Sequence, residues 1–128
     1  MEHFGKSYKL CSRKTIDLLF NEGKQLRVFP LKVYYSESKS IEKVPFQVVL
    51  SAPKRQFKRA HDRNYVKRLL KEVLRKEKQP LEDALNESGK QLSLFIIYTN
   101  KEVLTYQELE KCARKLVVKL IAELNGEA

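Results

Sequence analysis

The sequence is short of the residue types from which most active sites are built. Two histidines, His3 and His61, and two cysteines, Cys11 and Cys112, are the whole supply in 128 residues. The cysteines lie far apart, with no CxxC and no neighbouring His, which reads as reduced thiols and no zinc site. The four glycines are scattered, which excludes a Gly-rich phosphate loop, and no HExxH occurs. No run approaches the roughly 20 apolar residues of a membrane span. The opening MEHFGKSYKL lacks the apolar core of a signal peptide, so a cytoplasmic, soluble protein is expected. Internal repeats and low-complexity segments are absent.

A hydrolase acting alone needs a nucleophile and base, a carboxylate pair or metal ligands. None is evident. His3 lies in a polar lead-in, and His61 adjoins Asp62 in a basic stretch. Sequence neighbours of that kind are poorly placed for a triad, which joins distant positions. They read as a helix start with a polar neighbour. The expectation is a chain with no catalytic and no metal-binding residues of its own.

Acid is also scarce: 16 Asp and Glu stand against 26 Lys and Arg, a net charge of +10. With 42% hydrophobic residues, the chain is one domain, 1–128, large enough to bury a core. Its basic balance favours a polyanionic partner.

Most of that charge sits in one stretch, KRQFKRAHDRNYVKRLLKEVLRKEK, from Lys54 to Lys78. It holds eleven Lys or Arg and three acids, a net +8 in about one fifth of the length. From Val66 onward Val66, Leu69, Leu70, Val73 and Leu74 fall at i, i+3, i+4, i+7 and i+8, one face of an α-helix. At about 100° per residue these lie within roughly 80° of Val66, while Lys67, Lys71, Asn64, Arg75 and Arg68 lie at roughly 100° to 200°. Surface helices usually mix signs, because Glu four residues from Lys supports the helix and like charges at that spacing repel by a few tenths of a kcal/mol. A strip of one sign therefore predicts a nucleic-acid partner.

The segment LSAPKRQFKRAHDRNYVKRLLKE resembles the signature of the bacterial ribonuclease P protein subunit family: a strand, a basic loop, then a helix opening on Arg-Asn-Arg with Lys-Arg following. Arg63, Asn64, Lys67 and Arg68 match. Tyr65 replaces the second Arg, Lys71 stands where an Arg is usual, and the loop from Lys54 to Ala60 lacks the glycine many members carry. The resemblance runs from about Tyr8 to Leu124.

Along the rest of the chain, Ile16, Leu19 and Phe20 predict a first helix over Arg13 to Glu22, with Ser12 as N-cap and Gly23 as stop. Val28 to Ser36 reads as a strand, with Lys32 and Tyr34 on one face and Leu31, Val33 and Tyr35 on the other. The Leu26 region adds a strand that the pattern does not separate. Phe46 to Ala52 reads as a hairpin partner ended by Pro53. Asp62 is a candidate N-cap for the basic helix, which Pro80 terminates. Leu81 to Glu87 is a short helix capped by Gly89. The apolar run Leu92 to Tyr98 predicts a central strand. The capping box Thr105 to Glu108 opens a last helix ending near Leu124. The fold expected is an α/β (α+β) two-layer sandwich, a mixed sheet of about four strands with three main helices, in the order α-β-β-(β)-α-β-α. The resemblance adds a left-handed β-α-β crossover containing the basic helix, where most crossovers are right-handed.

The resemblance also implies a function. In that family the RNA subunit, with Mg²⁺ held through RNA, hydrolyses the phosphodiester that frees the 5′ leader of precursor tRNA, and the protein assists. The partners implied are ribonuclease P RNA and precursor tRNA, with no membrane and no protein partner required. Arg63, Asn64, Lys67 and Arg68 would meet RNA phosphates, with Lys54, Arg55, Lys58, Arg59, Lys71 and Arg75 adding charge. Tyr65 either stacks on a base or ribose or packs at the helix edge. A leader-binding cleft would use Ile16, Phe20, Lys32 and Tyr34, with Phe20 and Tyr34 as stacking rings, Phe20 reading equally as core and Ile16 standing where an aromatic is frequent. Two other readings stay open: a ribosomal or assembly RNA-binding protein without a processing role, and a membrane-surface or acidic-protein binder using the amphipathic helix.

Overall fold

The computed structural model describes residues 13–37, 45–53 and 57–124. Its elements are α1 (Arg13–Glu22), β1 (Lys24–Val28), β2 (Leu31–Glu37), β3 (Phe46–Ser51), α2 (Ala60–Glu77), α3 (Gln79–Ser88), β4 (Leu92–Tyr98) and α4 (Tyr106–Leu124). The strands form one mixed sheet in the order β1-β2-β4-β3. β3 and β4 are parallel, and the other two pairings are antiparallel. The expected α/β sheet is present, and α2 and α3 lie in the crossover that joins its parallel pair.

Two strand assignments change. Val28 to Ser36 is not one strand: Pro30, which has no N–H to give to a ladder, sits with Phe29 in a tight turn, and β1 and β2 pair across it from Val28↔Leu31 to Lys24↔Tyr35. The carbonyl of Pro30 accepts bonds from both the Thr99 amide and its hydroxyl, at 2.8 Å each, tying the turn to the end of β4. Nor is Phe46 to Ala52 the hairpin partner of β2. That place between neighbours belongs to β4, whose apolar residues suit a strand paired on both sides.

Alternation along the strands divides the core in two. On one face Val33, Tyr35, Val48, Leu94 and Ile96 pack against α2, α3 and α4. On the other, Tyr34 joins Leu19 of α1, with Val49, Phe95 and Ile97 against them. Gly23 lets α1 stop and β1 begin, because a Cβ there would sit 2.5 Å from the Leu19 carbonyl oxygen.

α2 buries Val66, Leu70, Val73 and Leu74, each contributing about 1.5–3 kcal/mol by leaving water. Its N-cap is Arg59, not Asp62, and no side chain caps it. Asp62 lies in the first turn, near the positive end of the helix dipole. Pro80 ends the helix as expected by opening α3 at its first turn. α3 is capped by Gly89 at φ 71°, and its Leu81 and Leu85 are buried. α4 opens on the predicted capping box: the Thr105 amide donates to Glu108 Oε1 at 3.1 Å and the Glu108 amide to Thr105 Oγ1 at 3.2 Å. Cys11, His3 and the Ser12 cap lie outside the described residues.

Candidate nucleic-acid interface

The last part of the basic loop, from Phe57 onward, is fixed from inside the protein. Phe57 is buried, 5.7 Å from the ring of Tyr98, and its amide donates to the Pro53 carbonyl at 3.2 Å. Tyr98 in turn accepts from the Leu104 amide and donates to the Glu102 carbonyl. Arg63, half-buried, points one guanidinium nitrogen back at the carbonyls of Phe57 and Lys58, at 3.0 and 3.2 Å. The arginine that opens the Arg-Asn motif thus ties the loop to α2 as well as carrying charge.

Lys58, Arg59, Asn64, Lys67, Arg68 and Lys71 are all exposed. Among the described residues none of these five cations has a carboxylate partner. Tyr65 stands beside them, 47% exposed, so its ring is available rather than spent in the core. Lys54 and Arg55 lie outside the described residues.

The rear of the helix differs, which corrects the sequence reading of an uncompensated strip. Arg75 holds both carboxylate oxygens of Glu72, and that hydrogen bond keeps the Glu72 carboxyl below its usual range. Lys78 is buried and paired at 2.6 Å with Glu82, itself nearly buried. Arg114 of α4 bridges Glu77 and Glu110 at 3.1 and 2.9 Å. Arg75 is therefore the one residue of the expected contact set that the described structure commits to an internal carboxylate.

On the opposite face of the sheet the structure brings together all four residues expected in a cleft. Phe20 is 46% exposed. Its ring centroid lies 5.0 Å from that of Tyr34 and 4.7 Å from that of Phe95, tilted at 56° and 59°. Lys32 Nζ sits 5.3 Å from the Tyr34 centroid, within cation–π range, and Ile16 packs against the same group. Tyr34 is 8% exposed, so Phe20 is the ring that faces outward and Tyr34 supports it. Phe95, the cross-strand partner of Tyr34, was missed. Its signal was the alternation Ser93, Phe95, Ile97 inside a run that reads as uniformly apolar.

A cationic helix on one side of a mixed sheet and a cluster of aromatic rings on the other mark a small α/β protein whose surface chemistry suits a polyanion. The ribonuclease P family model matches residues 4–121, and the chain belongs to that family. It is 29% identical over 123 residues to the ribonuclease P protein component of Porphyromonas gingivalis, covering 96% of this chain and 90% of that one. It is 34% identical over 93 residues to that of Chlorobaculum tepidum, covering 67% and 60%. In fold it resembles the RNase P protein of Staphylococcus aureus, with TM-score 0.68, 18% identity, and 90% and 95% of the two chains covered. It also resembles that of Thermotoga maritima, with TM-score 0.70, 19% identity, and 87% and 96% covered. Family membership makes it the protein component of an RNA-processing enzyme, with RNA as its partner. No helix among the described residues is long and apolar enough to cross a membrane.

Proposed function

We propose that the chain bridges two RNAs during 5′ maturation of tRNA. The front of α2 and the loop before it bind the RNA subunit, and the aromatic cluster at the end of α1 holds the 5′ leader of the precursor. The observation that carries this reading is the set of five exposed cations, Lys58, Arg59, Lys67, Arg68 and Lys71, that have no carboxylate partner among the described residues. Five like charges on a packed scaffold favour a phosphate backbone, and arginine adds bidentate geometry. Phe20 stacks on a leader base, a contact that tolerates any sequence. Mature tRNA lacks that segment, so the aromatic cluster favours precursor over product.

The chemistry belongs, in this reading, to the RNA subunit and its Mg²⁺. Among the described residues no three His, Cys, Asp or Glu side chains come together to hold a metal ion. The protein contributes by neutralising phosphates where two RNAs converge, which lowers the Mg²⁺ the assembly needs.

Reconstitution tests this: precursor tRNA and a bacterial ribonuclease P RNA at low Mg²⁺, with and without the chain. Stimulated cleavage is expected with the intact protein, most of it lost in Lys67→Ala/Arg68→Ala, and no cleavage when the RNA subunit is omitted. Equal rates with and without the protein would defeat the proposal.

A further inference from the structure

A second cationic surface lies beyond the paired charges of Glu77, Arg114 and Glu110. On α4 the residues Lys111, Lys115 and Lys119 repeat at i, i+4 and i+8, all exposed. Among the described residues Lys115 and Lys119 have no carboxylate partner, and Lys111 has only the nearby charge of Glu108. The acids of α4 are occupied elsewhere: Glu108 in the capping box, Glu110 on Arg114, and Glu123 at the Tyr35 hydroxyl. Spacing of this kind repels itself, as it does on α2.

Beside that stripe stands the β1–β2 turn. Cys112 Sγ donates to the Phe29 carbonyl at 3.1 Å, and Lys119 Nζ to the Arg27 carbonyl at 3.2 Å. The turn therefore lies along the side of α4 that carries Lys115 and Lys119. Phe29 is 70% exposed, and Val118 of the same helix 65%. A phenylalanine held out at the tip of a braced turn, next to lysines that no carboxylate among the described residues neutralises, combines the two elements of a single-strand contact: a ring for a base and cations for its phosphates.

We propose that Phe29 with Lys115 and Lys119 forms a second RNA contact that takes an unpaired segment, with a base stacked on Phe29. The proposal rests on the function given above and extends it to a different face. α4 packs on β1 and α2 on β3, with the two helices in contact, and the lysines of α4 lie on its exposed side. The two cationic surfaces can hold separate stretches of polynucleotide at once.

The test measures affinity of the full chain for a bacterial ribonuclease P RNA over a salt series, alone and with precursor or mature tRNA added. Phe29→Ala is expected to weaken binding about tenfold with the salt slope unchanged, and Phe29→Tyr to restore it. Lys115→Ala/Lys119→Ala is expected to flatten the slope of log affinity against log salt by about 1.4–1.8. An effect seen with the RNA subunit alone places the segment there, and one seen only after precursor is added places it on the precursor. If these variants bind like the parent in every arm while Lys67→Ala/Arg68→Ala is impaired, the second contact is overturned and the α2 reading stands. If the α2 variant is unimpaired as well, the α2 reading falls too.

Discussion

From Lys67 to Lys71 the cations of α2 face solvent with no acid among the described residues to hold them, whereas from Glu72 to Lys78 each of Glu72, Glu77 and Lys78 is joined to an opposite charge. Both halves bury the same apolar stripe. The difference lies in what packs beside them. The rear half meets α3 and α4, which bring Glu82 and Arg114. The front half packs its apolar side on the same core, but among the described residues the polar contact it makes is with its own loop, from Arg63 to the carbonyls of Phe57 and Lys58. One helix thus serves as a structural strut at one end and a presented surface at the other.

The strongest way to break this contrast is at Lys78. Glu82→Ala leaves a buried ammonium without its carboxylate, and a loss of about 3 kcal/mol in denaturant unfolding is expected. RNA affinity measured well below the unfolding midpoint should be unchanged. Phe20→Ala probes the other face: it should cut the preference for precursor over mature tRNA by about 1–3 kcal/mol in competitive binding, with no change in salt slope. Lys67→Ala/Arg68→Ala touches no internal partner, so stability should move by less than about 0.5 kcal/mol, while the salt slope falls by about 1.4–1.8.

The smallest effect is at the boundary between the halves. Glu72→Ala removes the carboxylate that Arg75 holds and with it one negative charge from the helix, and the expected result is a slightly steeper salt slope with stability close to that of the parent. The same tie has a pH signature. Glu72 is lowered by the Arg75 hydrogen bond, so the tie is intact at and above the ordinary carboxylate range and lost as pH falls through the lowered pKa. An NMR titration should show the Glu72 carboxyl protonating below the ordinary carboxylate range, and Arg75→Ala should return it toward that range.

The helix itself was legible because its period of 3.6 and its one-sided charge are local facts, as were the Thr105 capping box and the Gly23 and Gly89 stops. The cleft set Ile16, Phe20, Lys32 and Tyr34 came from family resemblance, and the structure gathers them because the alternation of β2 sends Tyr34 to the face that α1 covers. Strand partnership was not legible. β3 reads as well for a hairpin with β2 as for a parallel edge on β4, and only the burial of β4 on both faces decides between them. The Asp62 cap failed for a similar reason: the helix is started early by Phe57 packing on Tyr98 and by Arg63 reaching back, neither of which leaves a mark on capping chemistry.

What the sequence settled alone was amphipathicity: where helices run, which side of each is greasy, and where positive charge accumulates, since those depend on neighbours a few residues apart. What only the tertiary structure settled was which charges remain unspent. Glu77 and Arg114, or Phe20 and Phe95, are far apart along the chain, and a charge or a ring becomes available to RNA only when folding brings nothing to cover it.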